Sequence, residues 1–149
     1  MRRVVPSPLP KRVVEREAIA RLWRAGVLAI CAGGGGIPVV RAESGALRGV
    51  EAVVDKDRTA ALLAAELGAD ALLLLTDVEG VFANWGKPDA RLLRRLSARD
   101  AAALALPPGS MGPKVEAAAW FAAHGKAIIA ALDHALPALA GKAGTVVAS

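Results

Sequence analysis

Three short stretches carry residue types that could bind and transfer a phosphoryl group. Gly33-Gly34-Gly35-Gly36 directly follows an apolar run, Val27 to Ala32. Consecutive glycines let backbone N–H groups face an anion with no side chain in the way. The alternative is a tight turn in which backbones pack closely. Asp55-Lys56-Asp57 stands just ahead of a helical pattern, where a lysine adds a point charge to the positive end of the helix dipole. Asp57 could hold that lysine or cap the helix, and a capping aspartate beside a solvated lysine is the plainer alternative. Gly109-Ser110-Met111-Gly112-Pro113-Lys114 opens a second helical pattern. A lysine in a first turn opposes the dipole, and a bound anion would relieve that opposition. An ordinary exposed lysine is the alternative there. Thr76-Asp77-Val78-Glu79-Gly80-Val81 ends a run of leucines. Asp77 could contact a ribose or order a phosphate loop, or simply shape a turn.

Two lysines and several glycine-rich turns are thus expected around one sheet edge. Phosphoryl transfer needs that arrangement, because its catalysis is mostly positioning and charge neutralisation. The standard nucleotide fingerprints do not fit. G-x-G-x-x-G counted from Gly33 ends on Pro38. The pairs Gly86-Lys87, Gly125-Lys126 and Gly141-Lys142 are followed by Pro, Ala and Ala, not by the Ser or Thr of a phosphate-binding loop. His124 and His134 stand apart with no cysteine or carboxylate cluster, so no metal site is expected.

The elements that must position these residues follow from periodicity. Val14, Ala18, Leu22 and Ala25 recur at helical spacing between Lys11 and Ala25, with Gly26 as the stop. Val27 to Ala32 reads as a buried strand, and Cys31 within it as a small core residue. Arg41 to Gly49 reads as a small excursion or hairpin. A helix is expected over Asp57 to Leu67, a buried strand over Ala71 to Thr76, and a loop over Asp77 to Asp89. Ser97 and Asp100 offer cap chemistry for a helix reaching Leu106. Pro113 suits a first helical position, with the helix running to His124. Ala127 to Leu132 and Gly144 to Ala148 read as strands, with a short helix near Leu136 to Ala140 between them. Helices alternating with apolar strands imply crossovers, a mainly parallel sheet and helices on its faces.

Composition bounds the rest. The chain has 149 residues, suggesting one domain or half of a larger one, and no linker separates two cores. With 54% hydrophobic and 22% charged residues it can build a packed core. Aromatics make up 3% and Tyr is absent, which weakens a platform for stacking bases. The net charge of +5 admits a polyanionic partner, yet no basic-region heptads or zinc-finger spacing support nucleic acid. Arg91, Arg94, Arg95 and Arg99 sit at near-helical spacing and read as an exposed face. The charge-free stretch Gly26 to Val40 is broken by glycines and a proline, so no membrane span is expected. A single cysteine and an N-terminus without a signal-peptide core point to the cytoplasm.

Five ordered segments together resemble the amino acid kinase family, in its carbamate kinase branch. They are Arg2-Arg3-Val4-Val5-Pro6-Ser7-Pro8, Cys31-Ala32 with the four glycines and Ile37-Pro38, Val54-Asp55-Lys56-Asp57, Leu75-Thr76-Asp77-Val78 with Gly86-Lys87-Pro88-Asp89, and Pro108 through Ala117. The resemblance runs from Arg2 to about Val147. It implies a three-layer α/β/α sandwich and phosphoryl transfer between ATP and carbamate. The family usually works from carbamoyl phosphate and ADP toward ATP, with Mg²⁺. Carried over by motif, Lys56 and Lys114 would meet the transferring and nucleotide phosphates, with Asp57 orienting them. Gly33 to Gly36 would lie near the phosphoryl channel. Thr76, Asp77 and Val78, with the Phe82 to Lys87 loop and Met111, would line the nucleoside pocket. Family members are about twice this length. The G-G-N-type loop and further lysine of their N-terminal half have no counterpart here. The expectation is therefore a truncated, nucleotide-binding C-terminal half over residues 1–149, whose partner is a missing N-terminal half or a second copy.

Overall fold

A computed structural model describes residues 4–106 and 111–149. The expectations for Arg2, Arg3 and residues 107–110 lie outside the described residues. The chain divides into two compact units, Met1–Leu63 and Ala64–Ser149.

In the first unit, helix α1 (Arg16–Arg24) forms inside the periodic stretch. Its end is set by Gly26, whose φ of 80° lets the chain turn back. The Gly26 amide then donates to the Trp23 carbonyl (2.9 Å) and the Val27 amide to the Leu22 carbonyl (3.0 Å), closing the helix with two carbonyls satisfied. Strands β1 (Val39–Arg41) and β2 (Leu47–Gly49) make the expected hairpin, antiparallel with Val39 opposite Gly49. Helix α2 (Lys56–Leu67) starts in this unit. One expectation fails. Segment 27–32 is not a strand, and its Leu28 and Ile30 are 92% and 98% exposed. Cys31 is correspondingly half-buried rather than a core residue. An apolar run supplies a strand's side chains but not its ladder, which needs a neighbour to exchange hydrogen bonds.

The second unit is built on strands β3 (Ala71–Thr76), β6 (Arg95–Ser97), β7 (Lys126–Ala131) and β8 (Thr145–Ala148), in the order β3-β7-β8-β6. β3 and β7 run parallel from Ala71 opposite Lys126 to Thr76 opposite Ala131. β6 and β8 are also parallel, while β7 and β8 are antiparallel. The sheet is therefore mainly parallel, with one reversed pairing at its centre. Side chains alternate across it. Ile128 and Ala130, with Leu73, Leu75 and Val146, meet Ala138 of helix α5 (Ala135–Leu139) on one face. Leu72, Leu74, Ala127, Ile129 and Val147 are buried on the other. Helix α4 (Met111–Phe121), which contacts β3, β7 and β8, covers that second face. Helix, sheet and helix give the three expected layers.

Smaller differences have local causes. The expected loop after β3 contains a two-residue hairpin, β4 (Phe82–Ala83) against β5 (Arg91–Leu92), too short to show as a period. Helix α4 begins at Met111, so Pro113 is its third residue rather than its first. That is tolerated because the first four amides of a helix lack partners anyway. It ends at Phe121, short of His124, where the His124 and Gly125 amides both turn onto the Phe121 carbonyl. Arg91, Arg94, Arg95 and Arg99 are exposed as expected, but they are divided among β5, β6, the turn between them and helix α3 (Ala98–Ala103). Ser97 caps α3, its hydroxyl accepting from the Asp100 amide at 3.0 Å.

A buried polar contact ties the hairpin to the sheet. The Val81 amide donates to Thr145 Oγ1 at 2.8 Å, and neither residue is exposed to solvent. Thr145→Val keeps the shape and removes the acceptor, stranding that amide. The expected loss is about 1–3 kcal/mol of stability, read as a lower urea midpoint. An unchanged midpoint would show the amide finds water instead.

Candidate functional site

The first unit gathers the glycine turn and the start of α2. Gly33, Gly35 and Gly36 all have positive φ, and Gly35 alone of the four is buried. A Cβ on Gly35 would lie 1.9 Å from the Val54 carbonyl oxygen, so the turn packs directly on the backbone leading into α2. The turn spends two of its amides internally, Gly33 to the Cys31 carbonyl (2.7 Å) and Gly35 to the Ala32 carbonyl (2.9 Å). The amides of Gly34 and Gly36 donate to no backbone carbonyl among the described residues, and both glycines are exposed. These two, rather than all four, have amides not spent on a described backbone carbonyl.

The helix cap is Asp55, not Asp57. Asp55 Oδ1 accepts from the Asp57 amide (2.9 Å) and the Arg58 amide (3.0 Å), the second and third helical residues. Asp57 takes the other role considered for it, beside Lys56. Its carboxylate is buried, with Oδ2 3.6 Å from Lys56 Nζ, while the Lys56 side chain is more than half exposed. A buried carboxylate beside a half-exposed ammonium holds the lysine's charged tip near the start of α2. Thr59 braces the arrangement, its hydroxyl donating to the Gly35 carbonyl at 2.9 Å. Sequence reasoning missed Asp55 and Thr59. Asp55 was legible as an aspartate directly before the first helical residue; Thr59 carries no such signal.

The second unit carries its candidates at the end of β3, in the β4–β5 hairpin and at the start of α4. Helix α4 turns tightly into β7, and it rises about 16 Å against about 20 Å for β7. Its start therefore lies near the rim where β3 and β7 end. Met111 opens α4, half-buried, and Lys114 sits in the same first turn with 5% of its surface exposed. β3 ends there in Thr76, whose hydroxyl donates to Asp77 Oδ1 at 3.0 Å; Asp77 is exposed and Val78 half-buried. Phe82 lies in the hairpin, its ring 5.1 Å from that of Trp85. Lys87 is exposed at the hairpin's tip, where its amide donates to the Asn84 carbonyl at 3.0 Å and Asn84 Nδ2 donates to Asp89 at 2.6 Å. A buried lysine at a helix start beyond the ends of parallel strands is a place for anionic groups. Thr145, which holds the hairpin, was not singled out by sequence; a threonine opening a strand carries no mark of its partner.

Helices on both faces of a mainly parallel sheet make the second unit an α/β layered fold. Residues 2–131 match the amino acid kinase family, and the chain belongs to it. Its relatives narrow the branch. It is 49% identical to a carbamate kinase of Haemophilus influenzae over 97% of this chain and 47% of that protein. It is 47% identical to one of Thermoplasma volcanium over 98% of this chain and 50% of that protein. A solved carbamate kinase from Giardia lamblia bound to AMP-PNP superposes with a TM-score of 0.92 at 43% identity, over 97% of this chain and 48% of that one. The chain thus spans about half the length of these relatives.

Proposed function

We propose that this chain supplies the nucleotide-binding half of a carbamate-kinase-like phosphotransferase working in the cytoplasm. In the direction of ATP formation, a terminal phosphate oxygen of ADP attacks the phosphorus of carbamoyl phosphate. The new P–O bond forms, the bond to the carbamate oxygen breaks, and carbamate leaves. The observation that carries this reading is Lys114, buried in the first turn of α4, a helix packed against β3 and β7. The likeness to carbamate kinases, one of them bound to AMP-PNP, supports a nucleotide there.

In this reading Lys114 neutralises nucleotide phosphate. Thr76, Asp77, Val78 and Met111, with Phe82 and Lys87 from the hairpin, line the nucleoside side. Lys56, based on Asp57, offers charge to the transferring phosphoryl group, and the Gly34 and Gly36 amides offer neutral donors to its oxygens. Mg²⁺ typically keeps several waters and is held by substrate phosphates with one or two carboxylates. Among the described residues no group of three His, Cys, Asp or Glu side chains gathers to hold a metal. In this reading Mg²⁺ comes with the nucleotide phosphates and would supply charge neutralisation there.

The half-length match favours a second reading of activity, in which the chain binds nucleotide but transfers nothing without a completing half. Losing the groups that position the second substrate removes a proximity effect worth about 7–11 kcal/mol. The purified chain is expected to bind Mg-ADP saturably in a calorimetric titration. Its carbamoyl phosphate-dependent ATP formation is expected to fall at least about 10⁵-fold below a full-length relative. Turnover near that of the relative would overturn the dependence on another half. No heat of binding would overturn the nucleotide reading.

A further inference from the structure

We propose that the outer edge of β6 is a docking strip for an extended acidic segment of another protein, taken up as one more strand of the sheet. The strip belongs to the second unit and does not depend on the nucleotide reading.

β6 ends the order β3-β7-β8-β6, so among the described strands nothing pairs with its outer side. Its ladder with β8 fixes which backbone groups stay unspent. The Val146 amide donates to the Arg94 carbonyl at 3.0 Å, and Arg95 stands opposite Val146 in a parallel register. In a parallel ladder only alternate residues of a strand exchange hydrogen bonds with a given neighbour. Arg94 and Leu96 therefore serve β8. The Arg95 amide and carbonyl and the Ser97 amide turn to the open side. Both residues are exposed, as an uncovered edge requires. An extended chain answers such groups with its own carbonyls and amides, and side chains decide which chain fits.

Charge beside this edge selects the occupant. Arg91, Arg94, Arg95 and Arg99 are exposed, and no ion pair or side-chain hydrogen bond engages any of them among the described residues. Residues 64–149 carry eight Lys and Arg and eight Asp and Glu. Half of that positive charge, and none of the negative, falls within residues 91–99. A short, charged strand is also how proteins guard an open edge against unwanted pairing. The same arginines that turn away most chains attract one whose carboxylates match them. A second copy pairing edge to edge would set two arginine clusters against each other. A nucleic acid would meet the arginines, but its phosphates only accept hydrogen bonds and leave the Arg95 carbonyl unanswered. An acidic strand supplies both the carboxylates and the main chain.

The test is calorimetric titration and amide hydrogen exchange on the purified chain with a soluble peptide alternating glutamate and valine. Saturable binding is expected, with the Arg95 and Ser97 amides slowed at least about tenfold. A peptide alternating lysine and valine should not bind. The glutamate peptide with every backbone amide N-methylated keeps its charge, loses its donors and should bind at least about tenfold more weakly. Arg94→Gln combined with Arg95→Gln, both on exposed side chains, should weaken binding at least about tenfold and leave the circular dichroism of the free chain unchanged. Several results would overturn the strip. They are no binding, equal binding by the N-methylated peptide, or binding that leaves the Arg95 and Ser97 amides exchanging freely. Equal protection from oligouridylate would make the patch a nucleic-acid surface instead. Protection that grows with the concentration of the chain alone would make it a contact between copies.

Discussion

Replacing Lys114 by methionine is expected to weaken Mg-ADP binding by about 1–3 kcal/mol, roughly 5- to 150-fold in the dissociation constant. Methionine is the informative replacement because Lys114 is 95% buried, leaving 5% exposed. The stem of a lysine packs as an apolar group whatever its ammonium does. Alanine would remove stem and charge together and open a gap beside the buried Val115 and Ala118. Methionine keeps the stem's length and removes only the charge. A buried ammonium is strongly disfavoured unless it is paired, so whatever Lys114 contacts within the chain will register in the stability of the variant. Affinity and stability must therefore be read together. A fall in affinity with an unchanged urea midpoint assigns the charge to phosphate. A fall in midpoint with unchanged affinity makes Lys114 a structural cation, and the nucleotide reading then loses the residue that carries it. Lys114→Arg should recover part of the affinity, since the charge returns but its reach and shape differ.

What could be read from sequence was whatever is encoded locally. The leucines of β3 and the Ala-Ile-Ile-Ala run of β7 are too apolar to lie anywhere but inside a covered sheet, and they pair over their full lengths. Gly26 and Ser97 announce helix ends by chemistry that acts within four residues. What stayed hidden depended on partners far along the chain. Thr145 reaches Val81 across 64 residues, and Thr59 reaches Gly35 across 24, with nothing in either neighbourhood to suggest it. Segment 27–32 shows the converse. Its composition is as strand-like as that of β7, yet it forms no strand, because none of the described strands pairs with it. The candidate site divides in the same way. Lys56, Asp57 and Lys114 were visible as charges at helix starts. That Asp55 takes the cap and leaves Asp57 to Lys56 needed atomic distances.

Gly35→Ala is expected to destabilise the glycine turn and the start of α2 by on the order of 3 kcal/mol. Two independent strains coincide at this position. The φ of 137° belongs to a region essentially reserved for glycine, so any side chain is strained even with room around it. There is no room: the added Cβ would lie 1.9 Å from the Val54 carbonyl oxygen and 2.8 Å from its carbon. Both are backbone atoms and cannot rotate away as a side-chain tip would. The strand of chain at Val54 is pinned in turn, since the next residue, Asp55, caps α2 through two amide hydrogen bonds. Relief can come only by moving the turn outward, which pulls the Gly35 carbonyl from the Thr59 hydroxyl. Amide exchange at Asp57, Arg58 and Thr59 should therefore accelerate. Gly34→Ala is the matched control. Nothing lies within 4 Å of a Cβ there, its φ is not in the left-handed range, and its exposed amide is retained. That variant should stay within about 0.5 kcal/mol of the parent. If the two alanine variants proved equally stable, the close approach of Gly35 to Val54 would not exist in solution. The Lys56–Asp57 pair would then lose the support that fixes it beside the turn.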